Sequence, residues 1–406
     1  MNLLRLLLVL LICALAQRAP AEDGGMSRAL AYARAAALQV LGRKMFSDAS
    51  LSASGQMACA TCHDPKLAFG PPNARDVQLG GKDMKQPGLR AVPSLTYLQV
   101  VPQFTEHYYE PDDEGDASVD NGPTGGLTWD GRIDRGRDQA RIPLLSPYEM
   151  ANKDEAALAA KLRKTSYADQ FAGIFGATVL KDDGKLFAAA VEALEVFEQS
   201  EHDFYPYSSK YDAYLADHAK LSEQEARGLA LFKAEEKGNC ASCHRSAVDN
   251  DGTPPQFTDY GLIAIGLPRN MNIPANADPN YFDLGVCGPL RTDLKNHADY
   301  CGLFRTPSLR NVALRKTFYH NGEEHDLRKA VEFYVERDTR PEKWYPRGPD
   351  GKVAKFNDLP RQYWDNINTE PPFGGKPGDP PRLTPPEVDD IVAFLKTLTD
   401  GYERGQ

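Results

Sequence analysis

Two pentapeptides in this chain have a spacing that dictates chemistry: Cys59-Ala-Thr-Cys62-His63 and Cys240-Ala-Ser-Cys243-His244. The C-x-x-C-H pattern attaches c-type haem: the thiols bond to the vinyl groups, and the adjoining histidine is placed to bind the iron as its proximal ligand. A zinc or disulfide pair is the alternative. Tetrahedral zinc needs a second ligand pair close by, whereas these motifs lie far apart and each carries its own histidine. Two haems on one polypeptide imply electron transfer or storage.

The chain start fits the compartment that such attachment needs. Arg5 precedes an apolar run from Leu6 to Ala16, followed by the small-residue patterns Ala14-Leu-Ala16 and Ala19-Pro-Ala21, so residues 1–21 read as a secretory signal peptide. The run is too short to anchor in a bilayer, and Cys13 is expected to leave with it. The mature protein is expected to be soluble and periplasmic. In an oxidising compartment, Cys287 and Cys301 read most simply as a disulfide, with two free thiols as the alternative. A formal charge of −10 argues against nucleic acid or an anionic membrane as partner and leaves a basic redox partner or a neutral surface open.

Each motif must be held by helices around it. Ser27 is placed to cap a helix through Leu30, Ala33, Ala37 and Leu41 to Phe46, and Ser222 with Glu225 makes a capping box for a helix through Leu229 to Phe232. Helices are also expected over Asp154–Arg163, Tyr167–Phe175 and Lys185–Gln199. Thr384 with Glu387 opens one carrying Val388, Ile391, Val392, Leu395 and Leu398 inward. Asp112–Gly126 and Trp344–Pro380 read as surface loops. The order of helix, haem motif, irregular loops and helices recurs, as in a duplicated module, with the crossover at Tyr205–Tyr211.

The second axial ligand decides what each iron does, since two strong ligands move electrons and an open position meets peroxide. Beyond His63 and His244 the histidines are His107, His202, His218, His297, His320 and His325, none of them between His63 and His107. Spacing leaves Met84 and Met271 open as ligands.

Four further strings carry a resemblance: Trp129-Asp-Gly-Arg132, Pro147-Tyr-Glu149-Met150, Phe304-Arg-Thr-Pro-Ser-Leu-Arg-Asn311 and Tyr319-His-Asn-Gly322. With the two haem motifs they resemble the bacterial di-haem cytochrome c peroxidase superfamily across nearly the whole mature chain, and within it most the MauG and MbnH branch. The resemblance implies a mainly α-helical protein of two cytochrome c-like haem domains with long irregular loops, at 22–204 and 205–406. It also implies two covalently bound haem c groups.

By the same resemblance, Tyr334 stands where the peroxidases have a methionine ligand to the second iron. Phenolate favours high oxidation states of iron, where a thioether favours Fe(II). The loop in which relatives carry a distal histidine to the first haem has none here, which leaves His63 facing an open position. Around that position the resemblance places Glu149 as the acid and base of peroxide cleavage, Gln139 as an orienting group and Pro143 as a steric wall. Trp129 is placed between the haems as an electron-hole relay. The implied activity uses hydrogen peroxide to reach a high-valent, bis-Fe(IV)-type state and oxidises an aromatic residue, tryptophan foremost, of a partner protein. The alternatives are a peroxidase fed by a small cytochrome and a non-enzymatic electron carrier.

Two departures from the superfamily matter. The asparagine that helps relatives hold a calcium ion between the modules matches Ala91, and the usual carbonyl segment reads Arg315-Lys-Thr317, which puts calcium in doubt. The surface tryptophan of the branch matches Gly238, leaving Trp344 and Trp364 as unsupported candidates for the exit route.

Overall fold

Helices with one apolar stripe must pair, and here they pair twice. In the computed structural model, which describes residues 26–109 and 121–403, eight helices of eight residues or more are found among the described residues. They are α1 (Arg28–Phe46), α2 (Gly136–Leu145), α3 (Glu155–Leu162), α4 (Ala168–Phe175), α5 (Asp183–Glu198), α6 (Glu223–Lys233), α7 (Leu327–Glu336) and α8 (Pro385–Lys396). Sheet is confined to two antiparallel pairs: β1 (Leu79–Gly80) with β2 (Gln86–Pro87), and β3 (Leu262–Ile263) with β4 (Phe304–Arg305). The mainly α class expected from the chain is what is found. The signal-peptide segment with Cys13, and residues 110–120 of the first expected loop, lie outside the described residues.

By backbone contacts the chain divides into Met1–Ala37 and Leu38–Gln406. The described part of the first unit is the start of α1, where Ser27 Oγ accepts from Leu30 N at 3.3 Å, as the cap requires. Leu30 is 58% exposed; the buried stripe of α1 begins at Leu38.

Within the second unit one apolar core draws its buried residues from Leu38 to Phe204. Another draws them from Tyr211 to Leu398, and two smaller ones use residues 262–373. Each haem-motif core rests on a helix crossing at a glycine. A Cβ on Gly42 of α1 would lie 2.1 Å from Ala193 O and 2.6 Å from Phe197 Cβ of α5. One on Gly228 of α6 would lie 1.9 Å from Asp390 O and 2.9 Å from Phe394 Cβ of α8. In both crossings the contacts are a carbonyl and the phenylalanine four residues on, so the recurrence in the sequence is also a recurrence in packing.

The caps form as their residue types demand. Ser222 Oγ accepts from Glu225 N while Glu225 Oε2 accepts from Ser222 N, and Glu387 Oε2 accepts from Thr384 N at 2.8 Å. Trp344–Pro380 is irregular and mostly at the surface, as expected, but Tyr345, Leu359, Ile367 and Phe373 within it are buried in the two smaller apolar cores. Cys287 and Cys301 form a disulfide.

Candidate functional site

Each haem motif is one helical turn, which brings residues three and four apart onto one face. His63 N donates to Cys59 O at 2.9 Å and His244 N to Cys240 O at 2.8 Å. Both imidazoles are then oriented alike: His63 Nδ1 lies 3.0 Å from Phe69 O and His244 Nδ1 lies 2.8 Å from Phe257 O. A carbonyl only accepts, so Nδ1 carries the proton and the Nε2 lone pair is left for a metal. Burial pushes both histidines down to about 4, which keeps them neutral. All four motif cysteines are unbridged and half-buried. Unbridged thiols and an oriented imidazole are what a c-type haem needs, and both motifs supply them; at the second an apolar cavity adjoins them as well.

That cavity is lined by Cys240, Cys243, His244, Phe232, Leu267 and Tyr334, and it extends past Trp129 to Leu67 and Ala68, just after the first motif. Tyr334 projects from α7 and stacks on Phe373 at 5.1 Å. Burial, then the nearness of Cys243 and Cys240, raises its phenol well above the ordinary value. The Arg337 charge opposes this shift. Met271 is 64% exposed and Met84 Sδ accepts from Ser54 Oγ at 3.4 Å; neither lines this cavity.

Near the first motif, Glu149 sits in a turn fixed by main chain. Glu149 N donates to Ser146 O, Glu149 O accepts from Gly81 N at 2.7 Å, and Met150 N donates to Pro143 O. A Cβ on Gly80 would lie 2.3 Å from Tyr148 O, so only glycine lets β1 run this close. Burial raises the Glu149 pKa, with a Ser146 hydrogen bond and the Arg132 charge opposing. Its charge in turn bears on Cys62, which burial first and Glu149 second push up to about 12. A carboxyl group whose pKa is raised by burial, beside a cysteine of the first C-x-x-C-H motif, is suited to moving a proton. Gln139 and Pro143 lie four residues apart on α2, hence on one face. Pro143 is tied to the Glu149 turn through Met150.

Trp129 is locked at both ends. Its Nε1 donates to Ala91 O at 2.8 Å and its carbonyl accepts from Arg305 N at 2.8 Å. The following Asp130 is wholly buried and accepts from Arg90, Arg132 and Thr128. Burial alone would raise Asp130; the two guanidinium groups hold it below the ordinary carboxylate value instead. Beside the indole lies His320 at 6.4 Å, itself stacked on Phe304 at 3.4 Å.

Calcium does not fit the residues present. Ala91 offers no side-chain oxygen and its carbonyl serves Trp129. Val92 O and Thr317 O accept from the Arg315 guanidinium at 3.0 and 3.2 Å. The buried Thr317 Oγ1 is left without a partner, one oxygen where calcium takes six to eight. Burial lowers Arg315 to about 10, and among the described residues no carboxylate pairs with it. Spacing gave no hint of this cation, nor of Glu198, a half-buried acid at the end of α5 whose charge bears on Cys59.

Comparison with known proteins agrees with this geometry. Residues 36–220 match the model of the di-haem cytochrome c peroxidase family. The methylamine utilization protein MauG of Paracoccus denitrificans is 35% identical over 90% of this chain and 89% of its own length. The crystal structure of the diheme peroxidase BthA from Burkholderia thailandensis is 40% identical with a TM-score of 0.78, covering 89% of this chain and 86% of that one. The cytochrome c551 peroxidase of Nitrosomonas europaea is 26% identical over 88% of this chain and 79% of its own.

Proposed function

The chain belongs to the di-haem cytochrome c peroxidase family, a family of peroxide-dependent di-haem oxidoreductases. From that premise we propose that it is a periplasmic enzyme that uses hydrogen peroxide to oxidise an aromatic residue, tryptophan foremost, of a partner protein. The observation that carries this reading is the unlikeness of the two haem sites. Tyr334 shares a cavity with Cys240, Cys243 and His244, while a half-buried acid, Glu149, stands beside Cys62.

In this reading the chain is two haem modules, at 22–204 and 205–406. Cys59, Cys62 and His63 hold the first haem, and Cys240, Cys243, His244 and Tyr334 hold the second. When bound, the haems supply peroxide activation and storage of the oxidising equivalents. The protein's own part is proton handling and positioning. Glu149 would shuttle a proton between the two oxygens of peroxide, so that one can depart as water, while the two electrons that O–O cleavage takes up would come from a haem bound at His63. Gln139 orients the peroxide and Pro143 narrows its pocket. Trp129, held rigid by Ala91 and Arg305, provides a polarisable indole between the two modules.

The test is mass spectrometry of periplasmic proteins incubated with the holoenzyme and peroxide. Oxygen added at a tryptophan of one of them is expected. Unmodified proteins beside fast oxidation of a reduced small cytochrome would overturn the reading in favour of peroxide detoxification. A Tyr334→Met variant supplies the second arm: a thioether favours Fe(II), so the midpoint potential of one haem is expected to rise. An unchanged potential and spectrum would remove Tyr334 from the iron.

A further inference from the structure

If holes leave this protein for a partner, they need a way out from the second haem site. Two tryptophans beyond Trp129 are available, Trp344 and Trp364. Aromatic contacts separate them. Tyr334 neighbours Phe333 with ring centroids 6.2 Å apart, and Phe333 meets Trp344 edge-on at 5.5 Å. No charged group stands between those three rings in the contacts of the described residues. Trp364 contacts Phe356 at 5.6 Å, and Phe356 contacts Tyr345 at 5.9 Å, but this set reaches Tyr334 through a cation. The wholly buried Arg337 guanidinium lies 5.3 Å from the Phe356 ring and 3.8 Å from Phe373, which in turn stacks on Tyr334; Arg337 pairs with Asp338 at 2.7 Å, but Asp338 also pairs with Lys355, whose Nζ lies 4.4 Å from the Phe356 ring, so two cations share one carboxylate on this route.

A fixed positive charge in a medium of low dielectric opposes the passage of a positive hole. Against Trp344 the nearest cation is compensated: Lys343 Nζ lies 4.7 Å from the indole and pairs with both Glu332 (2.9 Å) and Glu336 (2.6 Å), carboxylates that Arg328 and Arg340 also share. Trp344 Nε1 is buried and has no acceptor, so an oxidised indole keeps its proton there and remains a strongly oxidising cation radical.

Resting on the reading proposed above, we infer that Trp344 is the residue through which oxidising equivalents leave the protein, by way of Tyr334 and Phe333. The electrons balance as follows. Each hydrogen peroxide takes up two electrons and two protons to give two waters. Both electrons come from the partner's aromatic residue, one at a time, each reducing a Trp344 cation radical. Without a partner, an indole that has lost two electrons adds the oxygen of a water and releases two protons.

The experiment treats the holoenzyme with peroxide in the absence of any partner, then maps added oxygen by peptide mass spectrometry. The decay of the peroxide-oxidised enzyme is followed by stopped-flow absorbance. Oxygen is expected at Trp344 ahead of Trp364. Trp344→Phe is expected to lengthen the life of the oxidised enzyme, and Trp364→Phe is not. Oxygen accumulating at Trp364 or on another surface aromatic, or decay of Trp344→Phe at the parental rate, overturns the inference while leaving the proposed function standing. Peroxide consumption with none of the protein's aromatic residues oxidised overturns both. The wild-type oxygen map decides the matter even if Trp344→Phe folds poorly.

Discussion

Gly228→Ala is a perturbation whose cost follows from the helix crossing. The new methyl carbon would sit 1.9 Å from Asp390 O, 2.6 Å from the same carbonyl carbon and 2.9 Å from Phe394 Cβ. Two of these atoms are helical main chain and cannot rotate away. Restoring ordinary contact distances of ~3.5 Å requires α6 and α8 to separate by roughly 1.5 Å. A radial gap of even ~1 Å forfeits about half the dispersion attraction across the surfaces it opens, and overpacking of this kind costs ~1–3 kcal/mol or more. With two rigid main-chain atoms in the clash the cost stands at the upper end, ~3 kcal/mol; alanine's better helix propensity returns ~1 kcal/mol, so a net loss of ~2 kcal/mol is expected.

Phe232 of α6 and Ile391 and Leu395 of α8 line the haem cavity, so the Soret band should report the same displacement. The assay is guanidinium denaturation of the holoenzyme, followed by circular dichroism and by Soret absorbance so that the two modules are not assumed to unfold together. Gly42→Ala should do the same to the other crossing. Gly173→Ala is the control: a Cβ there meets nothing within 4 Å inside α4, and a gain of ~0.5–1 kcal/mol is expected. A Gly228→Ala protein within ~0.5 kcal/mol of the parent would refute the argument that these crossings are closed to any side chain.

Two further outcomes are expected. Glu149→Gln keeps the shape and the main-chain turn but cannot take up a proton, so the rate of reaction with peroxide should fall by ~10²–10⁴ in stopped-flow absorbance; a parental rate would remove Glu149 from proton transfer. Glu198 is pushed up to about 8 by burial and by Glu195, so its neutral form is favoured in the folded state. Its contribution to stability is whole below the ordinary carboxylate range and is lost as pH rises toward 8. Glu198→Gln should therefore raise the melting temperature by an increment that grows from pH 5 to pH 8, and a pH-independent increment would contradict the assigned burial.

Much of this was legible in the residues because it is local. Capping boxes are read from Ser222 with Glu225 and from Thr384 with Glu387, since both partners lie within one turn and need no tertiary context. The helix over Gly136–Leu145 was not expected, because its internal Pro143 and first-position Gly136 are poor helix formers. It forms against α5, a contact no window of sequence contains. Within the Trp344–Pro380 stretch the buried Tyr345, Leu359 and Phe373 were not legible for the related reason that Gly and Pro content describes the backbone, while those side chains answer to distant partners.

The candidate haem attachment sites were legible in the sequence alone, since Cys, Cys and His within five residues on one turn bring together every side chain a covalent site needs. The choice of Glu149, Trp129 and Tyr334 came from the family strings, and position decides what they can do. Whether a carboxyl group is desolvated, whether a guanidinium fills the place of a calcium ion, and whether Trp344 or Trp364 touches the rings around Tyr334 depend on residues tens to hundreds of positions apart. Electrostatic and ring contacts act through space over a few ångströms, and only the folded chain sets those distances.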